Sequence, residues 1–203
     1  MGLDTLVNQL QALSSLELLA VVLAVAYLLL VIRQNIWCWI CAGVSSAIYV
    51  WLFIGANLYM ESLLYVFYVA MAVYGWSTWK RQSVAEPALS VSVWPLRIHA
   101  TAILTIVVLA SGCGYLLSRF SDAAFPYFDS LTTFAAIWAT FLVARKVLEN
   151  WWYWLAIDAA SMLIYWARGL ELTALLFVIY IILIPVGLIQ WLRSYRAQEI
   201  VTQ

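Results

Sequence analysis

Long runs of apolar residues, separated by short polar or charged clusters, divide this chain into seven segments. Each run is about 17–25 residues long, which is the length that an α-helix needs to cross the hydrocarbon core of a bilayer. The pattern therefore predicts an all-α integral membrane protein with seven transmembrane helices. Numbered in chain order, these predicted helices cover about 16–32, 36–54, 58–79, 97–118, 128–144, 151–167 and 171–192.

Two parts of this pattern match each other. Residues 34–53 match residues 149–168 at an offset of 115 positions, and residues 58–79 match residues 170–191 at an offset of 112. The informative matches involve residue types that are rare here, since the 203 residues include 12 Trp, 12 Tyr and 8 Gly. They pair Trp37 with Trp152, Trp39 with Trp154, Trp51 with Trp166, Tyr68 with Tyr180, Gly75 with Gly187, and Trp79 with Trp191.

The repeat predicts a 3+1+3 arrangement in which two three-helix units are joined by an unmatched helix 4. The units span residues 1–80 and 123–203, and residues 81–122 hold the linker and helix 4; the connection at about 80–96 contains Pro87 and Pro95. Because three helices plus one return the chain to its starting side, the repeats are parallel and related by an axis along the membrane normal. A duplicated helical unit in a membrane chain is typical of transporters with a binding site on that axis.

Composition and charge support this interpretation. The chain is 67% hydrophobic and 10% charged, which excludes an ordinary soluble domain. One set of predicted loops carries only Arg119 and Arg168. By the positive-inside rule the other set is cytoplasmic, which places the N-terminus outside and the C-terminus in the cytoplasm. That cytoplasmic set contains Arg33, Lys80, Arg81, Arg97, Arg145, Lys146, Arg193 and Arg196.

Asp158 is the strongest single candidate for a functional residue. It lies about halfway along predicted helix 6, roughly 12 Å from Asn150 at ~1.5 Å per residue. A carboxylate at that depth costs about 2.5–3.5 kcal/mol to insert, so it must face the protein interior or a wet cavity. Its counterpart at the offset of 115 is Gly43, so one unit offers an acid where the other offers space. The alternative interpretation is a buried hydrogen bond between helices.

Polar aromatic residues follow helical spacing on two of the predicted helices. Such a face can stack on a flat ring, donate hydrogen bonds to its substituents and attract a cation. The alternative is an interfacial aromatic belt, which we favour for Trp37, Trp151, Trp152 and Trp191. The candidate substrate-binding residues are Glu61, Tyr65, Tyr68, Trp76, Trp79, Asn150, Trp154, Asp158, Tyr165 and Tyr180.

No motif for catalysis or metal binding stands out. The sequence contains no HExxH, DxD, GxSxG or P-loop, so no enzyme, metal site, cofactor or nucleic-acid partner is predicted. Cys38-x-x-Cys41 has metal-site spacing but lies in an apolar helix without nearby His, so we interpret both thiols as packing residues.

Several motifs resemble those of the PnuC family of bacterial vitamin transporters. The most specific is the run Ala144-Arg145-Lys146-x-Leu148-Glu149-Asn150-Trp151, which leads into Trp154-x-x-x-Asp158. The others are Tyr74-Gly75-Trp76-x-x-Trp79, Asp129-Ser130-Leu131-Thr132-Thr133 and Thr173-Ala174-Leu175-Leu176.

The resemblance implies a layout like that of the SWEET sugar transporters, assembled as homotrimers in the bacterial inner membrane. It also implies uptake of nicotinamide riboside by facilitated diffusion, without ATP, ion coupling or a cofactor. A cytoplasmic kinase then phosphorylates the riboside and traps it. In that mechanism the two units rock around a central site.

Other ligands and mechanisms remain open at this point. Many family members have a Gln four residues after an acid on helix 3, where this chain has Tyr65 after Glu61. Relatives carry thiamine, which is also a flat cation, or riboflavin, which is neutral and larger. Two further alternatives are a proton-coupled carrier that uses Asp158 and a membrane receptor that transports nothing.

Overall fold

The computed structural model describes residues 14–55, 59–81, 90–121, 125–167, 169 and 171–201. Pro87, Arg168 and the side chains of Glu61 and Arg81 lie outside the described residues. Within the described ranges the chain forms seven α-helices and no β-strand, which confirms the predicted class and helix number. The helices are α1 (Ser15–Ile32), α2 (Cys38–Gly55), α3 (Tyr59–Arg81), α4 (Leu96–Phe120), α5 (Pro126–Ala144), α6 (Asn150–Ala167) and α7 (Glu171–Val201).

Five of these helices are long and apolar enough to cross a membrane. They are α1, α2, α4, α5 and the Thr173–Gln198 part of α7. The other two carry residues that lower their hydropathy: α3 contains four tyrosines and two tryptophans, and α6 contains Asp158. In α6 this residue is buried, with 4% of its surface exposed, so its polarity is turned toward the protein.

The turns after α1 and α5 have the same backbone geometry. Gln34 and Lys146 are the residues after the two C-caps, and they adopt left-handed φ values of 53° and 51°. In each turn the next amide donates back into the helix: Asn35 N to Leu30 O and Val147 N to Leu142 O, both at 2.9 Å. A left-handed residue after a helix lets such bonds satisfy its last carbonyls. The two turns therefore place α2 and α6 equivalently after α1 and α5.

Tryptophan rings packed on glycines join α2 to α3 and α6 to α7. The ring of Trp39 lies against Gly75 so closely that a Cβ there would overlap it, and the ring of Trp151 lies in the same way against Gly187. Each ring also meets a second indole edge-on, Trp79 or Trp191, at a centroid distance of 5.5 Å. Small residues allow this close approach of membrane helices.

Each of these two tryptophan sites is also hydrogen-bonded to the other half of the chain. The indole N–H of Trp79 on α3 donates to the Ala144 carbonyl at the end of α5, at 3.1 Å. The indole N–H of Trp191 on α7 donates to the Val31 carbonyl at the end of α1, at 3.0 Å. These contacts connect α3 with α5 and α7 with α1, next to the matched turns.

The turn hydrogen bonds, the tryptophan–glycine contacts and the indole donors recur at a separation of 112 residues, and the acceptor carbonyls of Val31 and Ala144 are 113 residues apart. The predicted offset of 115 for α2 and α6 is therefore not the structural one. It arose because these helices begin with several tryptophans, which match in more than one register. At the structural offset Trp39 corresponds to Trp151, and the counterpart of Asp158 is Ser46 rather than Gly43.

The tryptophans near helix ends divide into two groups. Trp37 and Trp152 are 59% and 58% exposed, whereas Trp151 and Trp191 are 1% and 0% exposed. The prediction of an interfacial belt is therefore wrong for Trp151 and Trp191, because the Trp151 ring packs on Gly187 and the Trp191 ring meets Trp151 edge-on and donates to Val31 O inside the core.

A short extended segment before α4 is attached to the turn between α5 and α6. Ser92 N donates to Lys146 O at 3.1 Å, Leu148 N donates to Ser92 O at 2.8 Å, and Trp94 N donates to a Glu149 carboxylate oxygen at 3.2 Å. The neighbouring helix α4 packs along α5, and its buried His99 lies 3.1 Å from the Tyr153 hydroxyl of α6. Lys146 is held over the Trp79 ring at 4.6 Å, and burial lowers the pKa of its ammonium group.

We expect Gly75→Ala and Gly187→Ala to destabilise the fold by similar amounts, because each added methyl group meets a tryptophan ring. Overpacking of this kind costs about 1–3 kcal/mol. Thermal unfolding of the purified protein in detergent measures the effect. The matched control is Gly112→Ala on α4, where an added Cβ has no heavy atom within 4 Å. Equal melting temperatures for all three variants would contradict the proposed packing role.

Candidate functional site

A cavity of about 490 Å³ lies between six of the seven helices. Its described lining comes from α1, α2, α3, α5, α6 and α7, and α4 contributes no residue to it. It extends from Trp39 and Trp151, near the beginnings of α2 and α6, to Phe53 and Tyr165, near their ends. The cavity therefore follows most of the length of the helices that surround it.

The α2 and α6 walls contribute matched positions, each pair separated by 112 residues. In order from the beginnings of the two helices to their ends, the pairs are Trp39 and Trp151, Ala42 and Trp154, Ser45 and Ile157, Ser46 and Asp158, Tyr49 and Ser161, and Phe53 and Tyr165. The backbones are therefore equivalent, while the side chains differ at most levels.

The charged groups that line the described cavity are acidic. They are Asp129 on α5 and Asp158 on α6, and no Lys, Arg or His is among the lining residues. Asp158 is buried, whereas Asp129 is partly exposed. Tyr68 and Tyr180 line the same cavity as Asp158. Such a cavity favours a cation over an anion.

Aromatic clusters cover both walls at the end opposite the tryptophans. On the α2–α3 side, Tyr65 lies 4.9 Å from Tyr49 and 5.2 Å from Phe53, measured between ring centroids. On the α6–α7 side, Tyr165 stacks on Phe177 at 5.4 Å with an interplanar angle of 11°. Rings in contact with each other hold their orientation, and they present π faces and hydroxyl groups to a ligand.

The other end of the cavity is closed by Trp39, Trp151 and Asn150, which are 2%, 1% and 0% exposed. The Asn150 amide donates to Val147 O, but its Oδ1 atom has no hydrogen-bond partner among the described residues. The indole Nε1 atoms of Trp39 and Trp151 also lack one. A buried polar group without a partner costs about 1–3 kcal/mol.

Seven of the ten predicted site residues line this one cavity, and the structure brings them together from three helices. They are Tyr65, Tyr68, Asn150, Trp154, Asp158, Tyr165 and Tyr180. Trp79 lies behind the closed end, hydrogen-bonded to Ala144, and Trp76 meets Trp37 edge-on at 5.7 Å; neither lines the cavity. Glu61 is the tenth, and its side chain is outside the described part of the chain.

Sequence reasoning missed the α2 wall, above all Ser46, Tyr49 and Phe53. The signal that finds them is the offset of 112, which the Gly75–Gly187 pair already displays. Applied to α6, that offset pairs Asp158 with Ser46, Ser161 with Tyr49 and Tyr165 with Phe53.

The described residues form no metal site. Within the described ranges, no group of three or more His, Cys, Asp or Glu side chains comes together as metal ligands would. Cys38 and Cys41 are free thiols, of which Cys38 is buried. What the cavity offers is reversible binding, through aromatic faces, hydroxyl groups and carboxylates.

The chain is similar to characterised vitamin transporters. It is 26% identical over 170 residues to the nicotinamide riboside transporter PnuC of Escherichia coli K12, covering 71% of each chain. It is 28% identical over 184 residues to the riboflavin/roseoflavin transporter RibM of Streptomyces davaonensis, covering 86% of this chain and 84% of that one. Both relatives are transporters, which agrees with the prediction that this chain is not an enzyme.

A solved structure shares the fold. The crystal structure of the vitamin B3 transporter PnuC superimposes with a TM-score of 0.71 at 19% identity, covering 88% of this chain and 81% of that one. The sequence profile described as nicotinamide mononucleotide transporter matches residues 14–193, nearly the whole chain. As the motifs in α3, α5 and α6 indicated, this multi-pass membrane protein belongs to the nicotinamide mononucleotide transporter family, which includes the PnuC transporters.

Proposed function

We propose that this protein imports nicotinamide riboside by facilitated diffusion and that the cavity is its binding site. The observation that carries the proposal is the combination of aromatic walls with exclusively acidic charge among the described lining residues. The riboside has a flat cationic ring, an amide and a polar ribose. Aromatic faces stack on such a ring and attract its charge, and Asp158 supplies a counter-charge inside the bilayer. The similarity to the E. coli transporter supports the same ligand.

The transport mechanism follows from the proposed repeat. Residues 1–80 and 123–203 form two parallel three-helix units, joined by residues 81–122 in a 3+1+3 layout, and they rock around the cavity between outward-open and inward-open states. The contacts that recur at an offset of 112 support this arrangement. Phosphorylation in the cytoplasm makes uptake directional, so no cofactor or ion gradient is required.

The basic residues of the described loops support a cytoplasmic location for the tryptophan end of the cavity. Arg33, Arg145 and Lys146 lie in the turns beside it, and Arg193 and Arg196 lie on the last turns of α7. The positive-inside rule then places the N-terminus outside the bacterial inner membrane. The homotrimer remains part of the proposal through the family resemblance, and the exposed apolar side chains of α4 fit a contact with lipid or with another subunit.

Riboflavin is the second candidate substrate. The similarity to the riboflavin/roseoflavin transporter extends over more of this chain than the similarity to the E. coli transporter. Riboflavin also presents a flat ring to aromatic walls, but as a neutral molecule it gains less from Asp158. Charge therefore separates the two candidates, while thiamine, another flat cation, belongs in the same comparison.

We expect the purified protein to bind nicotinamide riboside and Asp158→Asn to weaken this binding about 10- to 100-fold, which corresponds to about 1.4–2.7 kcal/mol. The reason is that the variant keeps the shape of the side chain and removes only its charge. Calorimetric titration measures the affinity. The matched ligand control is the reduced riboside, which has a neutral ring of nearly the same size and should lose much less affinity.

Titration of thiamine and riboflavin in parallel, followed by flux into liposomes, separates the alternatives. Tighter binding of riboflavin or thiamine would reassign the substrate, and binding without flux would favour a receptor. Accumulation of the riboside above equilibrium, driven by a pH gradient, would replace facilitated diffusion with proton coupling. If none of the three vitamins bound, the proposed function would be refuted.

Opening toward the cytoplasm requires the two units to separate at the tryptophan end. The bonds from Trp79 to Ala144 and from Trp191 to Val31 connect one unit to the other there, so opening must break them. Among the described residues, the closed arrangement also provides no partner for the indole Nε1 atoms of Trp39 and Trp151, which favours opening. The two interunit bonds therefore hold the cytoplasmic side closed against that cost.

We expect Trp79→Phe and Trp191→Phe, alone and together, to increase access to the cavity from the cytoplasmic side, because each removes one interunit donor and keeps a ring. The reporter is Val143→Cys, since Val143 lines the cavity and is 1% exposed. Labelling by a membrane-impermeant maleimide, in inside-out vesicles and in a background without the three native cysteines, should rise several-fold. Trp152→Phe on the exposed surface of α6 is the matched control and should leave labelling unchanged.

A further inference from the structure

At two levels of the cavity, the matched positions on α2 and α6 carry residues of opposite size, and the larger residue changes sides between the levels. At the level next to the closed end, α2 carries Ala42 where α6 carries Trp154. Seven residues further along each helix, α2 carries Tyr49 where α6 carries Ser161. These levels are about 10 Å apart at ~1.5 Å per residue. These residue sizes leave more room on the α2 side near the closed end and on the α6 side further out, and we call the resulting space an oblique slot.

Neighbouring side chains fix the two large rings in place. Trp154 packs against the buried cluster of Ala136, Ala139 and Ile157, which comes from α5 and α6. Tyr49 is stacked near Phe53 at a centroid distance of 5.6 Å, within the aromatic cluster of its own wall. Because both rings have packed neighbours, neither one can turn aside without losing contacts. The oblique shape is thus a property of the packed walls.

The polar groups are distributed unevenly along this slot. Asp158 lies one helical turn beyond Trp154, on the same face of α6, with Ser46 as its counterpart on α2. The hydroxyls of Tyr49 and Ser161 lie at the outer level. The closed end thus combines an indole face with a nearby carboxylate, which suits a flat cation, and the outer level offers hydroxyl groups, which suit a sugar.

We propose that the ligand lies obliquely in this slot, with its flat ring on Trp154 in the space left by Ala42 and its polar substituent between Tyr49 and Ser161. Ala42 is then a specificity-determining residue, because only a small side chain at that position leaves room for a ring beside the indole. The assignment rests on the proposed function and adds the orientation of the ligand. It also explains why equivalent helices carry residues of opposite size at both levels.

A double-mutant cycle tests whether Ala42 and Trp154 share one ring. We expect Ala42→Leu to weaken the binding of nicotinamide riboside at least about tenfold by filling the ring's space, and Trp154→Ala to weaken it about tenfold by removing the stacking face. In the double variant, adding the leucine should weaken binding by less than about threefold relative to Trp154→Ala alone, because removal of the indole leaves room for the displaced ring. Calorimetric titration measures all four affinities.

Two further variants keep the test decisive. Ala47→Leu adds the same side chain to the exposed surface of α2 and should leave binding unchanged. Trp154→Phe replaces Trp154→Ala if the alanine variant does not fold. Its affinity loss should also be less than additive with that of Ala42→Leu, by a smaller factor. Additive losses, or an equal loss from Ala47→Leu, would overturn the ring assignment while leaving the proposed function in place. Absence of binding by the unmodified protein would refute the function and the assignment together.

Discussion

The packing of two tryptophan rings on two glycines is the constraint on which the rest of this structure depends. Within a bilayer, apolar surface gains nothing by leaving lipid, so helices associate through close packing and buried hydrogen bonds. Gly75 and Gly187 supply the close packing, since no side chain separates their backbones from the rings of Trp39 and Trp151. The same rings form the closed end of the cavity on their other side, so the packing and the site have common residues.

This arrangement also determines which movements are available. The indoles of Trp79 and Trp191 meet Trp39 and Trp151 edge-on and bond to carbonyls at the ends of α5 and α1. Within each proposed unit the contacts are therefore the packing of rings on glycine and on each other. Between the units, at the tryptophan end of the cavity, they include two hydrogen bonds. A hydrogen bond of this kind contributes about 0.5–1.5 kcal/mol, so two of them resist separation without preventing it.

The sequence predicted the helices well and their register incompletely. Apolar runs bounded by charge located every helix end to within two residues, except the end of α7, which continues to Val201 because polar residues extend a helix beyond the membrane without an apolar signal. The α2 register was missed because counting identical residues rewards repeated tryptophans. The actual register is set by the left-handed turns at Gln34 and Lys146. These two residues are of different types, so a search for identical residues does not match them.

Matched backbones with unmatched side chains suit a carrier whose ligand has two unlike ends. If both walls were identical, a ligand could bind in two equivalent orientations, and neither wall could be adapted to one end alone. Here Asp158 corresponds to Ser46, and Trp154 to Ala42, so one wall supplies charge and bulk where the other supplies a hydroxyl group and space. For the proposed facilitator, this adaptation is limited by the need to release the ligand on both sides. Stacking contributes only about 0.5–1.5 kcal/mol per ring pair, so a site built mainly from aromatic faces and a single deep carboxylate provides selectivity while keeping release fast.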